Sequence, residues 1–181
     1  MGKIIAIVNQ KGGVGKTTSC INLAASMALL EQKTLLIDLD PQANATTGSL
    51  FQKEPGANIA QVLLDEIPIQ ESLLVTPAGY SLIPGTTDLT QTEVQLLQKE
   101  QREYTLKKKL AVLSNLYDYI LLDCPPSLNI LTVNALVAAN SVIIPVQCEY
   151  FALEGLSNLI NTLQSLRATV NPHLQIHGIL R

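Results

Sequence analysis

The stretch VNQKGGVGKTTSC, residues 8–20, holds the residue types that grip an anion with backbone and side chains together. Gly15-Lys16-Thr17 matches the end of the phosphate-binding pattern G-x-x-x-x-G-K-[ST]. The first glycine of that pattern falls at position 10, where this chain has Gln10; Gly12 and Gly13 stand inside the loop instead, behind Lys11. The chemistry survives the change. Glycines let the backbone wrap tightly enough for successive N–H groups to point at one anion. A helix starting near Lys16 adds its positive N-terminal end. Gly12, Gly13, Val14 and Gly15 are therefore expected to cradle phosphates. Lys16 is expected on the β and γ phosphates, the Thr17 hydroxyl on Mg2+ and Thr18 on the α phosphate. Spacing alone leaves two readings of Lys11: a solvated lysine, or one that reaches outward to a phosphate held by another subunit.

A nucleotide bound with Mg2+ needs acidic partners. Asp123 ends the apolar run YILLD and is placed to hold the metal through a water. Asp38 and Asp40 close KTLLIDLD, residues 33–40, and strand alternation puts both on one side. Both fall at the carboxyl edge of a sheet, where ligands bind in open α/β folds. Asp40, further out, is expected to face the γ phosphate and position water, and it completes the metal set with Thr17 and Asp123. Asp38 is expected to cap or orient the loop. His173 and His177 flank the last strand and read as surface residues, so no histidine is placed for nucleophilic catalysis.

Strand-like runs at 3–8, 33–40, 80–85, 117–127, 141–147 and 174–181 must position these residues. Helical patterns lie between them at 17–32, 88–100, 104–116, 129–139 and 152–167. Residues 41–58 read as polar and turn-rich; residues 59–75 read as two short pieces around a proline break. Asp88 is a candidate N-cap, with a helical stripe at Leu89, Val94 and Leu97. Strands alternating with helices of this length predict an α/β fold, a mostly parallel sheet with helices on both faces. Strands apolar on both faces agree with that.

The 181 residues suffice for one domain with a sizeable core. Apolar residues make up 47% against 4% aromatic, so the core must be built from Leu, Ile, Val and Ala. A net charge of −3 excludes a surface wholly dedicated to nucleic acid, though not a local basic patch such as LKKKL, 106–110, whose simpler reading is a solvated helix face. Cys20, Cys124 and Cys148 form no CxxC pair and read as small buried apolar residues in a reducing cytosol. No apolar run approaches the roughly 20 residues that span a bilayer.

Together KGGVGKTT, LLIDLDPQANAT, YDYILLDCPPSL and VIIPVQCEYFALEGL resemble the ParA/MinD group of deviant Walker A P-loop NTPases, and within it the Soj-type partition ATPases. The resemblance runs from residue 2 to residue 181. It implies an ATP- and Mg2+-dependent homodimer in which Lys11 matches a signature lysine that contacts phosphates held by the other subunit. It implies that Asp40 is the hydrolysis aspartate and that Glu149 lies near nucleotide and dimer interface. It also implies chromosome or plasmid partitioning, non-specific DNA binding by the ATP-bound dimer, a ParB-like stimulating partner, no membrane, and a cytoplasmic protein associated with the nucleoid when ATP-bound. Members of the group continue into a C-terminal segment that sandwiches adenine and binds DNA. The expectation is one ATPase domain over 1–181 without that segment. Three alternatives remain: a MinD-like cell-division regulator, which DPQAN disfavours; a redox protein like the nitrogenase iron protein, for which Cys124 and Cys148 are poorly placed; and an inactive nucleotide-binding fragment.

Overall fold

Seven strands form one sheet in the order β3-β4-β2-β5-β1-β6-β7. The computed structural model describes residues 2–50, 56–149 and 152–181. Part of the turn-rich stretch, 51–55, and Tyr150 and Phe151 of the last quoted motif lie outside the described residues. The strands are β1 (Lys3–Ile7), β2 (Thr34–Asp38), β3 (Leu74–Val75), β4 (Ser81–Ile83), β5 (Tyr119–Asp123), β6 (Ser141–Pro145) and β7 (Gln175–Leu180). Only the β3–β4 pair is antiparallel; the other pairs run parallel. The helices are α1 (Lys16–Leu29), α2 (Asn44–Ser49), α3 (Ile59–Leu63), α4 (Leu89–Leu96), α5 (Thr105–Leu110), α6 (Ile130–Ala138) and α7 (Ala152–Thr169).

Strand alternation explains why both faces are covered. Successive side chains point to opposite sides. Ile5, Ile7, Leu36 and Leu121 meet Cys20 and Ala24 of α1 and Ala45 of α2 on one face. Ala6, Leu35, Ile37, Ile120 and Leu122 go to the other face, where α3 to α7 contribute Val62, Leu96, Leu106, Leu136 and Leu163. The expected mostly parallel α/β sheet with helices on both faces is therefore the observed architecture.

Five local expectations are corrected. Residues 44–49 form α2 although their Asn, Thr, Gly and Ser read as turn. The 104–116 helix is α5 flanked by 3₁₀ turns at 102–104 and 111–113. Asp88 makes no side-chain cap to α4. The buried line of α4 is Leu89, Thr92 and Leu96, at i, i+3, i+7, which leaves Val94 and Leu97 63% and 51% exposed. Cys20 and Cys124 are buried as expected, whereas Cys148 is exposed because it sits in the loop beyond β6. The LKKKL cluster is a helix face: Lys109 pairs with Asp65 at 2.5 Å and Lys108 donates to Gln101 at 2.8 Å.

Candidate functional site

The carboxyl ends of β1, β2, β5 and β6 lie side by side, since Ile7 and Asp38 are both in register with Asp123 and Ile7 with Ile143. The loop after β1 with the start of α1, the loop after β2, the last residue of β5 and the loop after β6 carry every expected site residue. Asn9 fixes the start of the first loop. Its side-chain amide donates to the Pro145 carbonyl at 2.6 Å, and its Oδ1 accepts the Lys11 N–H at 3.0 Å. The backbone then takes the left-handed conformation at Gly13 (φ 74°) and Gly15 (φ 88°), which L side chains rarely adopt. Gln10 is not among the residues with positive φ, so nothing in the backbone requires the glycine it replaces. A Cβ built at Gly12, Gly13 or Gly15 would meet nothing within 4 Å, so the space beside the loop is open. α1 begins at Lys16, directly after Gly15, so its N-terminus abuts the loop. Val14 is buried beneath the loop; Thr18 is exposed at the first turn of α1.

Lys16 is 7% exposed, and burial lowers its pKa against the opposing pull of Asp123 and Asp40. Its ammonium donates to the Lys11 carbonyl at 3.1 Å, within the loop itself. The Thr17 hydroxyl donates to Asp123 Oδ2 at 2.7 Å. Asp123 Oδ1 is buried with no hydrogen-bond partner. Asp38 and Asp123 are fully buried and Asp40 is 8% exposed. Burial, reinforced by the charge of Asp38, pushes Asp123 up to about 7. Burial pushes Asp38 up to about 6 even though Thr46 and the Asp40 N–H donate hydrogen bonds to it.

Two buried carboxylates, Asp123 and Asp40, therefore act on the buried Lys16 ammonium, a third, Asp38, adds its charge to Asp123, and one oxygen of Asp123 is unpartnered. Such a cluster fits a cation. Among the described residues no three Asp, Glu, His or Cys groups could hold a metal ion by themselves. That suits Mg2+, which takes one or two carboxylates and completes its shell with phosphate and water.

The structure brings Lys11, Gly12, Gly13, Val14, Gly15, Lys16, Thr17, Thr18, Asp40, Asp123 and Glu149 to one edge of the sheet. It also shows something the spacing does not: Lys11 and Glu149, 138 residues apart, form an ion pair within the same chain. Both side chains are about half exposed, at 44% and 55%, so the pair is weak and exchangeable. Gln147 adds a second tie across the loop, donating to the Gly13 carbonyl at 3.0 Å. Asn9, Thr46 and Gln147 are site residues that sequence reasoning passes over. Gln147 and Asn9 were discoverable from their places two residues past a strand end; Thr46 carries no comparable signal. The buried Cys124 thiol is pushed up by burial first and by Asp123 second, which keeps it protonated and unsuited to bind a cluster.

Comparison with known proteins agrees with this geometry. Residues 2–176 match a family described as an AAA domain. The chain is 52% identical to the chromosome partitioning protein ParA of Myxococcus xanthus, over 99% of this chain and 64% of that protein. It is 47% identical to the sporulation initiation inhibitor protein Soj of Bacillus subtilis, over 99% of this chain and 72% of that protein. Among solved structures, cobyrinic acid a,c-diamide synthase from Mycobacterium smegmatis with bound ADP and magnesium superposes with a TM-score of 0.95 at 38% identity, covering 99% of this chain and 74% of that one. Matches of that identity and extent, joined to a glycine-lined phosphate loop with a second lysine, are what the residues at the sheet edge call for, and the chain belongs to the ParA/Soj family of deviant P-loop ATPases.

Proposed function

We propose that this chain binds ATP with Mg2+, hydrolyses it, and uses the nucleotide to switch a dimer on and off in chromosome or plasmid partitioning. The observation that carries the reading is the unpartnered, buried Asp123 Oδ1 beside the Thr17 hydroxyl, at the mouth of an open glycine-lined loop. This is a cation site that wants phosphates to complete it. Partition is preferred to the amide synthesis named for the structural neighbour because the partition relatives are closer in sequence, at 47–52% against 38%.

Each residue then has a task. The N–H groups of Gly12 to Lys16 converge on the phosphates, and Thr18 lies at the α phosphate. Lys16 leaves the Lys11 carbonyl for the β and γ phosphates. Thr17, Asp40 and Asp123 hold Mg2+, which neutralises phosphate charge when bound. Asp40 orients the attacking water. Lys11 trades its Glu149 partner for phosphates bound by a second subunit, and Glu149, so freed, faces nucleotide and dimer interface. The residues 1–181 act as one ATPase domain. In this reading the partners are a second copy of the chain, a ParB-like protein that stimulates hydrolysis, and non-specific DNA contacted by the ATP-bound dimer. That dimer associates with the nucleoid in the cytoplasm. No helix among the described residues is long and apolar enough to cross a membrane.

The test is Asp40→Ala. ATP binding is expected to persist while single-turnover hydrolysis falls by roughly 100-fold or more, the usual worth of a group that manages the nucleophile's proton and position. Hydrolysis at the wild-type rate would remove Asp40 from that task.

A further inference from the structure

Asp40 lies in neither strand nor helix: β2 ends at Asp38 and α2 begins at Asn44. The intervening loop also holds Ala43 in the left-handed region (φ 50°), a conformation that must be imposed from outside. Within the turn the Ala43 N–H donates to the Asp40 carbonyl at 2.8 Å and the Gln42 N–H to Asp40 Oδ1 at 2.9 Å; the ties from this loop to the rest of the fold converge on Asp38 and Thr46. Asp38 Oδ1 accepts the Asp40 N–H at 3.1 Å. Asp38 Oδ2 accepts both the Thr46 N–H and the Thr46 hydroxyl, each at 2.8 Å. The same Thr46 oxygen accepts the Gly85 N–H at 2.8 Å, from the segment that follows β4. Gly85 is pressed against the carboxylate, so that a Cβ there would sit 2.8 Å from Asp38 Cγ.

One hydroxyl thus joins three elements: the end of β2, the first turn of α2 and the chain beyond β4. Asp38 has no such freedom to serve elsewhere, since its oxygens are engaged by donors from the loop and from α2. Its carboxylate transmits the position of Thr46 to the backbone of Asp40. We propose that Thr46 is a positioning residue for hydrolysis, acting through Asp38 to hold Asp40 where it can orient water. The proposal rests on the assignment of Asp40 made above.

Thr46→Val keeps the side chain's shape while removing the donor to Asp38 and the acceptor for Gly85. Binding of a fluorescent ATP analogue and single-turnover ATP hydrolysis per bound nucleotide are measured on the full chain with Mg2+. The tie predicts unchanged binding with hydrolysis slowed about 10- to 100-fold, the effect of a small misplacement of a catalytic group. Thr46→Ser, which restores the hydroxyl, recovers most of the rate. A role confined to stability would lower the melting temperature of Thr46→Val without changing the rate per bound nucleotide, and would overturn the proposal. So would a failure of Thr46→Ser to rescue. Should Thr46→Val not fold, Asp38→Asn takes its place, with the same binding and rate expected and a wild-type rate overturning the tie. Asp40→Ala, measured beside them, separates the two claims. If it hydrolyses at the wild-type rate, the assignment of Asp40 falls; if it is inactive while Thr46→Val is not, only the tie from Thr46 falls.

Discussion

Asp123 carries a carboxylate that the fold removes from water without giving both oxygens a partner. Its pKa rises from 3.8 to about 7, so the folded chain holds a proton that the unfolded chain releases between those values. Stability of the nucleotide-free chain therefore falls as pH rises from about 4 to about 7 and stays low above that. Asp38, raised to about 6, adds to the fall in the lower part of the same window. Asp123→Asn removes one charge without changing the volume. It is expected to stabilise the nucleotide-free chain at pH 8 by roughly 1–4 kcal/mol, from about 1.4 kcal/mol per pKa unit discounted for relaxation. The gain vanishes toward pH 4. Urea unfolding at pH 4, 6 and 8 checks it, and a variant no more stable than wild type at pH 8 would contradict it. Mg2+ would supply the missing charge at the proposed site, which would so exchange stability for affinity. Much of this was legible at the level of residue types. Gly12 to Thr18 and Asp123 announce themselves by their strings and by the apolar runs before them. The pairing of Lys11 with Glu149 was not legible, because no local spacing says that residues 138 apart meet.

At the scale of elements, the strands could be read because buried parallel strands are continuous apolar runs, as in YILLD and KIIAI. α2 could not be read. Its residues favour turns, and it forms because Asp38 takes the Thr46 N–H while Gly48 lies so close to Ile21 of α1 that a Cβ would sit 2.6 Å from it. Long-range packing overrides local propensity there. The stripe assigned to α4 failed for a related reason: Val94 and Leu97 are apolar, yet the neighbours of α4 lie along Leu89, Thr92 and Leu96. A single buried amide joins two elements at the far end of the sheet. Asn171, just past α7, donates to the Leu136, Val137 and Ala139 carbonyls at 2.9, 3.3 and 2.9 Å, closing the C-terminus of α6 before β6 begins. Asn171→Ala leaves those buried carbonyls without that partner and is expected to cost about 1–3 kcal/mol, seen as a lower denaturation midpoint. ATP binding per folded molecule is expected to persist, since the amide lies away from the phosphate loop. An unchanged midpoint would show that the cap is dispensable.

For the whole molecule, the proposed function turns on Lys11, which is paired with Glu149 within its own chain. Among the described residues Lys16 is the one buried Lys or Arg, and it stands ready for the phosphates of the chain's own nucleotide in the proposed reading. A second lysine, exposed and held only by a surface carboxylate, is free to serve a nucleotide bound elsewhere. The dimer proposed here would need Lys11 from each of two copies and so exist only while both hold nucleotide, which would make hydrolysis a timer for dissociation. The most direct test is solution mass by light scattering after gel filtration, with and without a non-hydrolysable ATP analogue and Mg2+. The account predicts 19.6 kDa without nucleotide and twice that mass with it, with Lys11→Ala binding the analogue but remaining at the lower mass. Wild-type chain that binds the analogue and stays at 19.6 kDa, or Lys11→Ala that dimerises as wild type does, would contradict it.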